Sequence, residues 1–247
     1  MASTSGSAGL SKIQDHPFET ELNRIRAAYE RREREVPRDR YSDTNPRAAV
    51  FYRELESNIF DLLARKCPRP LSELRVLDLG CGEGRWLRRL PKWGLLPENL
   101  SGVDLLPGRV AASRASCHPG VRFYCVNAAQ LPFADRSLDV VLCMTVFSSI
   151  LDEGLRMAVA TEMLRVLRPD GFVLWYDFFA RNPASGDVRR VGKADLARLF
   201  PDCEIGLKRV TVVAPLGRAV ATIPGLYSAL SRFPIFSTHY LGYIQKR

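Results

Sequence analysis

The sequence predicts an α/β fold, a mostly parallel sheet with helices on both faces, preceded by a helical cap. Three observations carry that expectation. From Arg75 onward, short apolar runs alternate with segments of helical periodicity, as strand–helix–strand crossovers do. The run "VLDLGCGEGRW" (Val76 to Trp86) ends a strand-like stretch in glycines at 80, 82 and 84 and then turns helical. Finally, 46% of the 247 residues are apolar, enough for a sizeable core in one ordinary domain.

Each element follows in order. Residues 1–16 are small and polar, a flexible lead-in without the basic and apolar regions of a signal peptide. Residues 17–70 form the cap, with helices over Pro17 to Glu35 and Pro46 to Lys66. Between them "VPRDRYSDTNP" is a turn-rich hinge with two prolines. The main domain spans 71–247. Its strands are "RVLDLG", "LSGVDLL", "VRFYCVN", "LDVVLCM" and "GFVLWYDFF". The helices between them run over Gly84 to Trp93, Pro107 to Cys117 and Asp152 to Arg168. The last carries Leu155, Met157, Ala158, Met163, Leu164 and Leu167, close to a buried stripe at 3.6-residue spacing. In the tail, "VGKADLARLF" reads as a helix, "CEIGLKRVTVV" as a strand and "IFSTHYLGYIQKR" as a closing strand. Residues 215–233, apolar, helical and broken by Pro224 and Gly225, are longer than a tight connection needs and form a candidate lid.

Composition narrows the function classes. No stretch of roughly 18 uncharged apolar residues appears, so no membrane span is expected. The six cysteines include no CxxC pair and read as reduced core thiols, which points to the cytoplasm. The formal charge of +9 raises the question of nucleic acid, yet the densest charged run, Arg24 to Tyr41, mixes both signs as a solvated helix face does. No cluster with metal-ligand spacing is present in the sequence, so no metal is expected.

The glycine turn carries the chemistry. Glycines there let backbone approach a ligand closely, but the dinucleotide pattern GxGxxG needs its third small residue at 85, where Arg85 stands. Asp78, two residues ahead of the first glycine, would repel a pyrophosphate and suits a ligand with an ammonium or sulfonium cation. An adenosine bearing a cationic amino acid satisfies both facts. "VLDLGCGEG" resembles motif I of the class I S-adenosylmethionine-dependent methyltransferases, and the similarity continues through roughly Arg75 to Phe178. "GVDLLPGRV" resembles the second motif, "VNAAQLPFADRSLDVVLC" the third and fourth, and "MLRVLRPDGFVLWYDF" the helix, turn and fifth strand of the branch containing quinone-biosynthesis enzymes.

That resemblance implies a Rossmann-like seven-stranded sheet of order 3-2-1-4-5-7-6 with strand 7 antiparallel, and S-adenosylmethionine as cofactor. It implies that Asp78, Gly80, Cys81, Gly82, Gly84, Asp104, Leu105, Asn127, Ala128 and Cys143 hold the cofactor. Asp104, 22 residues after Gly82, would take the ribose hydroxyls, close to the ~20-residue spacing of related nucleotide folds. Two departures stand out. Asn127 replaces the usual aspartate, leaving its amide oxygen to accept from the adenine amino group while Ala128 offers its backbone N–H. Ser148 and Ser149 stand where many relatives carry a histidine pair, so the expected general base is missing there.

The acceptor belongs over the carboxyl ends of the fourth and fifth strands. His239, at the start of the closing strand, is a candidate base there, and a satisfied structural histidine is the other reading. Tyr41 either closes over the cofactor or anchors the cap, while Tyr176 and Asp177 leave the fifth strand at the same end. The function expected is methyl transfer to a small-molecule acceptor at O or N. Rival readings are C-methylation of a quinone or polyketide-like ring, methylation of RNA or protein, and a non-catalytic cofactor-binding partner. Fold alone does not choose the acceptor, and the oligomeric state stays open.

Overall fold

In a computed structural model of the chain, the described residues are 18–37, 40, 42, 45–180, 186–220, 223 and 225–247. Seven strands form one sheet: β1 (Val76–Leu79), β2 (Leu100–Asp104), β3 (Arg122–Cys125), β4 (Leu138–Met144), β5 (Leu167–Phe178), β6 (Cys203–Val212) and β7 (Ser237–Lys246). Their order is 3-2-1-4-5-7-6, as expected. The first five pair in parallel, and β7 runs antiparallel to both β5 and β6. β1, β2 and most of β4 are buried along their whole length, which is why they read as unbroken apolar runs.

Helices cover both faces. α1 (Glu19–Glu35), α5 (Glu153–Val166) and α6 (Lys193–Leu199) pack on the face bearing Leu77, Leu79, Val141 and Trp175. α2 (Pro46–Lys66), α3 (Arg85–Arg89) and α4 (Pro107–Ser116) cover the face bearing Val76, Val140 and Leu174. The two helices of the N-terminal segment therefore straddle the sheet. Within α2, Leu55, Ile59, Leu62 and Leu63 belong to the same core as β1. Two short helices, α7 (Ala214–Val220) and α8 (Leu226–Ser231), interrupt the path from β6 to β7 and pack Val220 and Tyr227 with Val50 and Phe51 of α2.

Two boundaries differ from expectation for local reasons. The helix expected over Gly84 to Trp93 is α-helical only to Arg89; Pro91 cannot donate, and Leu90–Trp93 tightens into a 3-10 turn. β5 begins four residues early because Leu167 pairs with Leu138 before an irregular register resumes at Val140 and Phe172.

At the amino end of the parallel strands, Asp139 ties three segments together. It accepts from the Arg75 backbone N–H (2.8 Å), Arg69 Nη1 (3.0 Å) and Arg168 Nη1 (2.6 Å). It is a structural clamp, far from the glycine turn.

Candidate active site

The turn after β1 is built by left-handed backbone. Gly80, Gly82 and Gly84 have φ of 70°, 54° and 76°, a region that costs any side chain about 1–2 kcal/mol. A Cβ on Gly80 would sit 2.8 Å from Val146 Cγ2, while one on Gly82 would find only Arg109 Nη1 at 4.0 Å. Gly82 is thus the bare point of the turn. Gly84 packs inward instead, its would-be Cβ 2.6 Å from Cys117 Sγ on the far end of α4.

Two carboxylates flank this turn and are treated differently. Asp104, at the end of β2, accepts from Gly82 N–H (2.9 Å) through Oδ2 and from Leu106 N–H (2.9 Å) through Oδ1. Each oxygen keeps a lone pair, and the side chain is aimed by backbone on both sides. Asp78 is 1% exposed, and neither of its oxygens has a hydrogen-bond partner. Burial, with the nearby Asp104 charge adding to it, pushes Asp78 up to about 7. A buried carboxylate without a donor is costly, and a ligand cation relieves that cost.

The remaining cofactor candidates ring the same place. Cys81 is buried on the turn, and burial pushes its thiol far up. Leu105 and Ala128 are half-buried against the core, and Cys143 lies fully buried in β4 opposite Leu79. Asn127 offers both kinds of group. Its Oδ1 accepts from Ala129 N–H (3.0 Å), and the buried group left without a partner is Nδ2, a donor. The site therefore offers a buried carboxylate for a cation, a braced carboxylate for hydroxyls and an amide N–H₂ for a ring acceptor. S-adenosylmethionine presents all three kinds of group.

At the acceptor end, left-handed threonines stand just after β4 and one residue before the end of β6. Thr145 (φ 59°) donates its N–H to Tyr176 O at 2.6 Å, and Thr211 (φ 67°) meets the Tyr176 hydroxyl at 2.9 Å. Such strain in β-branched residues gathers at ligand sites. Burial holds the Tyr176 phenol well above its ordinary range, so it stays a neutral hydroxyl. His239 pairs with Phe178 across the sheet, level with the carboxyl end of β5, and stacks on Tyr176 at 4.7 Å. Burial depresses the imidazole to about 4. Thr238 Oγ1 spends its proton on Thr211 O (3.2 Å) and so accepts from His239 Nδ1–H (2.9 Å). This leaves Nε2 with a lone pair. Asp177 faces the other way, accepting from Ser148 N–H (3.0 Å) and Phe178 N–H (2.9 Å). Tyr41 lies outside the described residues.

Sequence reasoning missed how the cap reaches the site. Glu21 of α1 accepts from Leu151 N–H (2.6 Å), and Arg24 donates to Ser149 O (2.6 Å). Tyr29 OH meets Ser149 Oγ at 2.9 Å, and the same ring lies under the Arg109 guanidinium at 4.4 Å. α1 therefore bridges the loop after β4 and the start of α4.

Residues 76–171 match a family model described as a methyltransferase domain. The chain is 33% identical over 133 residues to a ubiquinone biosynthesis O-methyltransferase of Azorhizobium caulinodans, covering 53% of this chain and 50% of that protein. It is 36% identical over 119 residues to phthiotriol/phenolphthiotriol dimycocerosates methyltransferase 1 of Mycobacterium ulcerans, covering 45% and 40%. It thus spans half or less of the length of these curated relatives. In fold it resembles the Burkholderia thailandensis 1,6-didemethyltoxoflavin-N1-methyltransferase, solved with its substrate and S-adenosylhomocysteine. That likeness has a TM-score of 0.59 at 19% identity and covers 98% of this chain and 93% of that one. Residues 76–171 therefore carry a methyltransferase domain. The S-adenosylhomocysteine in the Burkholderia structure is the demethylated form of the ligand that these groups suit.

Proposed function

We propose that this protein transfers a methyl group from S-adenosylmethionine to an oxygen or nitrogen atom of a small-molecule acceptor. The observation that carries the proposal is the pair of carboxylates at the bare turn, Asp78 buried without a donor and Asp104 braced by Gly82 and Leu106. Asp78 neutralises the cationic amino-acid end. Asp104, beside Leu105, takes the ribose hydroxyls, and Asn127 Nδ2 and the Ala128 backbone take the adenine edge. Gly80, Cys81, Gly82 and Gly84 form the turn, and Cys143 lies in the floor. Relatives named as O-methyltransferases support oxygen as the acceptor atom.

Bound S-adenosylmethionine supplies an activated methyl group on a sulfonium centre with a neutral leaving group. The chain then has to orient the acceptor, exclude water and remove one proton where the acceptor is a hydroxyl. His239 performs the last task, since its Nε2 is unprotonated at neutral pH and lies at the carboxyl end of β5. Tyr176 and Thr211 orient the acceptor beside it. Helix α1, through Glu21, Arg24 and Tyr29, covers the loop after β4 on the acceptor side.

The test is incorporation of labelled methyl into a panel of phenols, hydroxy acids and amines by the wild type and His239→Gln. We expect product from a hydroxylated acceptor, and a His239→Gln loss of about a hundredfold in kcat with cofactor affinity unchanged. Equal turnover by the variant would make His239 structural. No transfer to any acceptor by a wild type that binds cofactor would favour the binding-partner reading.

A further inference from the structure

We propose that the tip of the β6–β7 excursion docks on an anionic lipid surface. The excursion leaves the carboxyl end of β6 and returns at Ser237, so it stands on the same edge of the sheet as the cofactor turn. Its inner face is covered, with Val220 and Tyr227 packing against Val50 and Phe51 of α2. Its outer face is not. Ile223 is 50% exposed, Phe233 58%, Ile235 81% and Phe236 36%, four of the seven large apolar residues that the described surface shows. Apolar side chains gathered on one short segment mark an interaction site more often than scattered ones do.

Charge identifies the occupant. No aspartate or glutamate follows Glu204, whereas Lys208, Arg209, Arg218, Arg232, Lys246 and Arg247 do. The last 43 residues therefore supply six of the nine net positive charges. Arg232 and Arg209 are exposed near the excursion's two ends. Among the described residues, the one acidic group set against the excursion in space is Glu54 of α2, half-buried beside Ser231 and Tyr227 on its covered side. Apolar side chains inserted at the headgroup boundary and flanked along the chain by basic residues form the pattern of interfacial attachment to anionic lipid. A second copy of the chain fits less well. A two-fold interface here would set Arg232 near its own copy with no tail carboxylate to pair it, over a patch of only four apolar residues. No helix among the described residues is long and apolar enough to cross a membrane, so the attachment is peripheral.

The test is flotation of the full chain with vesicles of phosphatidylcholine alone or with roughly a third phosphatidylglycerol. We expect the protein to float with the anionic vesicles, at least about tenfold more strongly than with neutral ones, and to release as salt is raised. Phe233→Ser with Ile235→Ser should cut that partitioning by about tenfold while the melting temperature stays unchanged. Both side chains are exposed, so folding is not at stake. Absence of anionic-vesicle binding, or undiminished binding by the double variant, overturns the proposal. So does a wild-type dimer in sedimentation velocity that the double variant converts to monomer. Vesicle binding is read without turnover, so it stands or falls apart from the methyl-transfer reading.

Discussion

At the residue scale, two carboxylates one strand apart do different work because their backbones treat them differently. Asp104 is fixed by two N–H donors, while Asp78 has none. Asp78 therefore sets a pH dependence whose sign can be worked out. Its native value near 7 stands above the ordinary 3.8, so between those values the native state keeps a proton that the unfolded chain gives up. Stability is then lost as pH rises from about 4 to about 7, on the order of 3 kcal/mol from this group. Asp177, pushed up to about 6 by burial, acts in the same direction. His239, depressed to about 4, acts oppositely, adding stability as pH rises toward 6.5. Urea unfolding of the cofactor-free protein at pH 4.5 and pH 8 isolates the first group: Asp78→Asn should flatten the decline, and an unchanged slope would contradict it. Asp139 serves as a structural control. Asp139→Ala strips one acceptor from two guanidinium groups and a backbone N–H. It should cost about 2–4 kcal/mol of stability and leave cofactor affinity unaltered.

At the scale of elements, helix positions were legible wherever a cap or a proline marked them. α2 runs from Pro46 to Lys66 as expected, and Asp152 caps α5 by accepting from Leu155 N–H at 2.7 Å. The 3-10 end of α3 was missed because periodicity does not weigh the donor that Pro91 lacks. Contacts between distant elements were not legible at all. Nothing local to "ETELNR" announces that Glu21 reaches Leu151, because that bond exists only once α1 lies beside the loop after β4. Glu21→Ala should remove about 1–3 kcal/mol of stability, read in urea. It should also weaken cofactor binding, because α1 bridges that loop and α4. A stability loss without any loss of binding would leave α1 a brace rather than a cover.

Across the whole molecule, strand–helix alternation pointed to a parallel sheet, the resemblance supplied its order, and the agreement extends to the antiparallel β7. The site was legible in part. The glycine spacing and Asp78 pointed to a cationic nucleoside ligand from sequence alone. The direction of the Asn127 amide was not readable, because it depends on a turn in which Oδ1 accepts from Ala129 N–H and Nδ2 is left without a partner. The tautomer of His239 likewise rests on Thr238 and Thr211, brought together only by the β6–β7 pairing. Charge was legible in amount and misleading in place. The +9 total suggested the mixed run of α1, whereas the unbalanced part lies after Glu204.

The central claim is that the glycine turn and its two carboxylates bind S-adenosylmethionine. Calorimetric titration of S-adenosylmethionine and S-adenosylhomocysteine into the wild type and Asp104→Ala tests it most directly. We predict binding by the wild type and a loss of about 1.5–3 kcal/mol, roughly tenfold to a hundredfold in Kd, in the variant. Failure of the wild type to bind either compound at millimolar concentration, or equal binding by Asp104→Ala, would contradict the account.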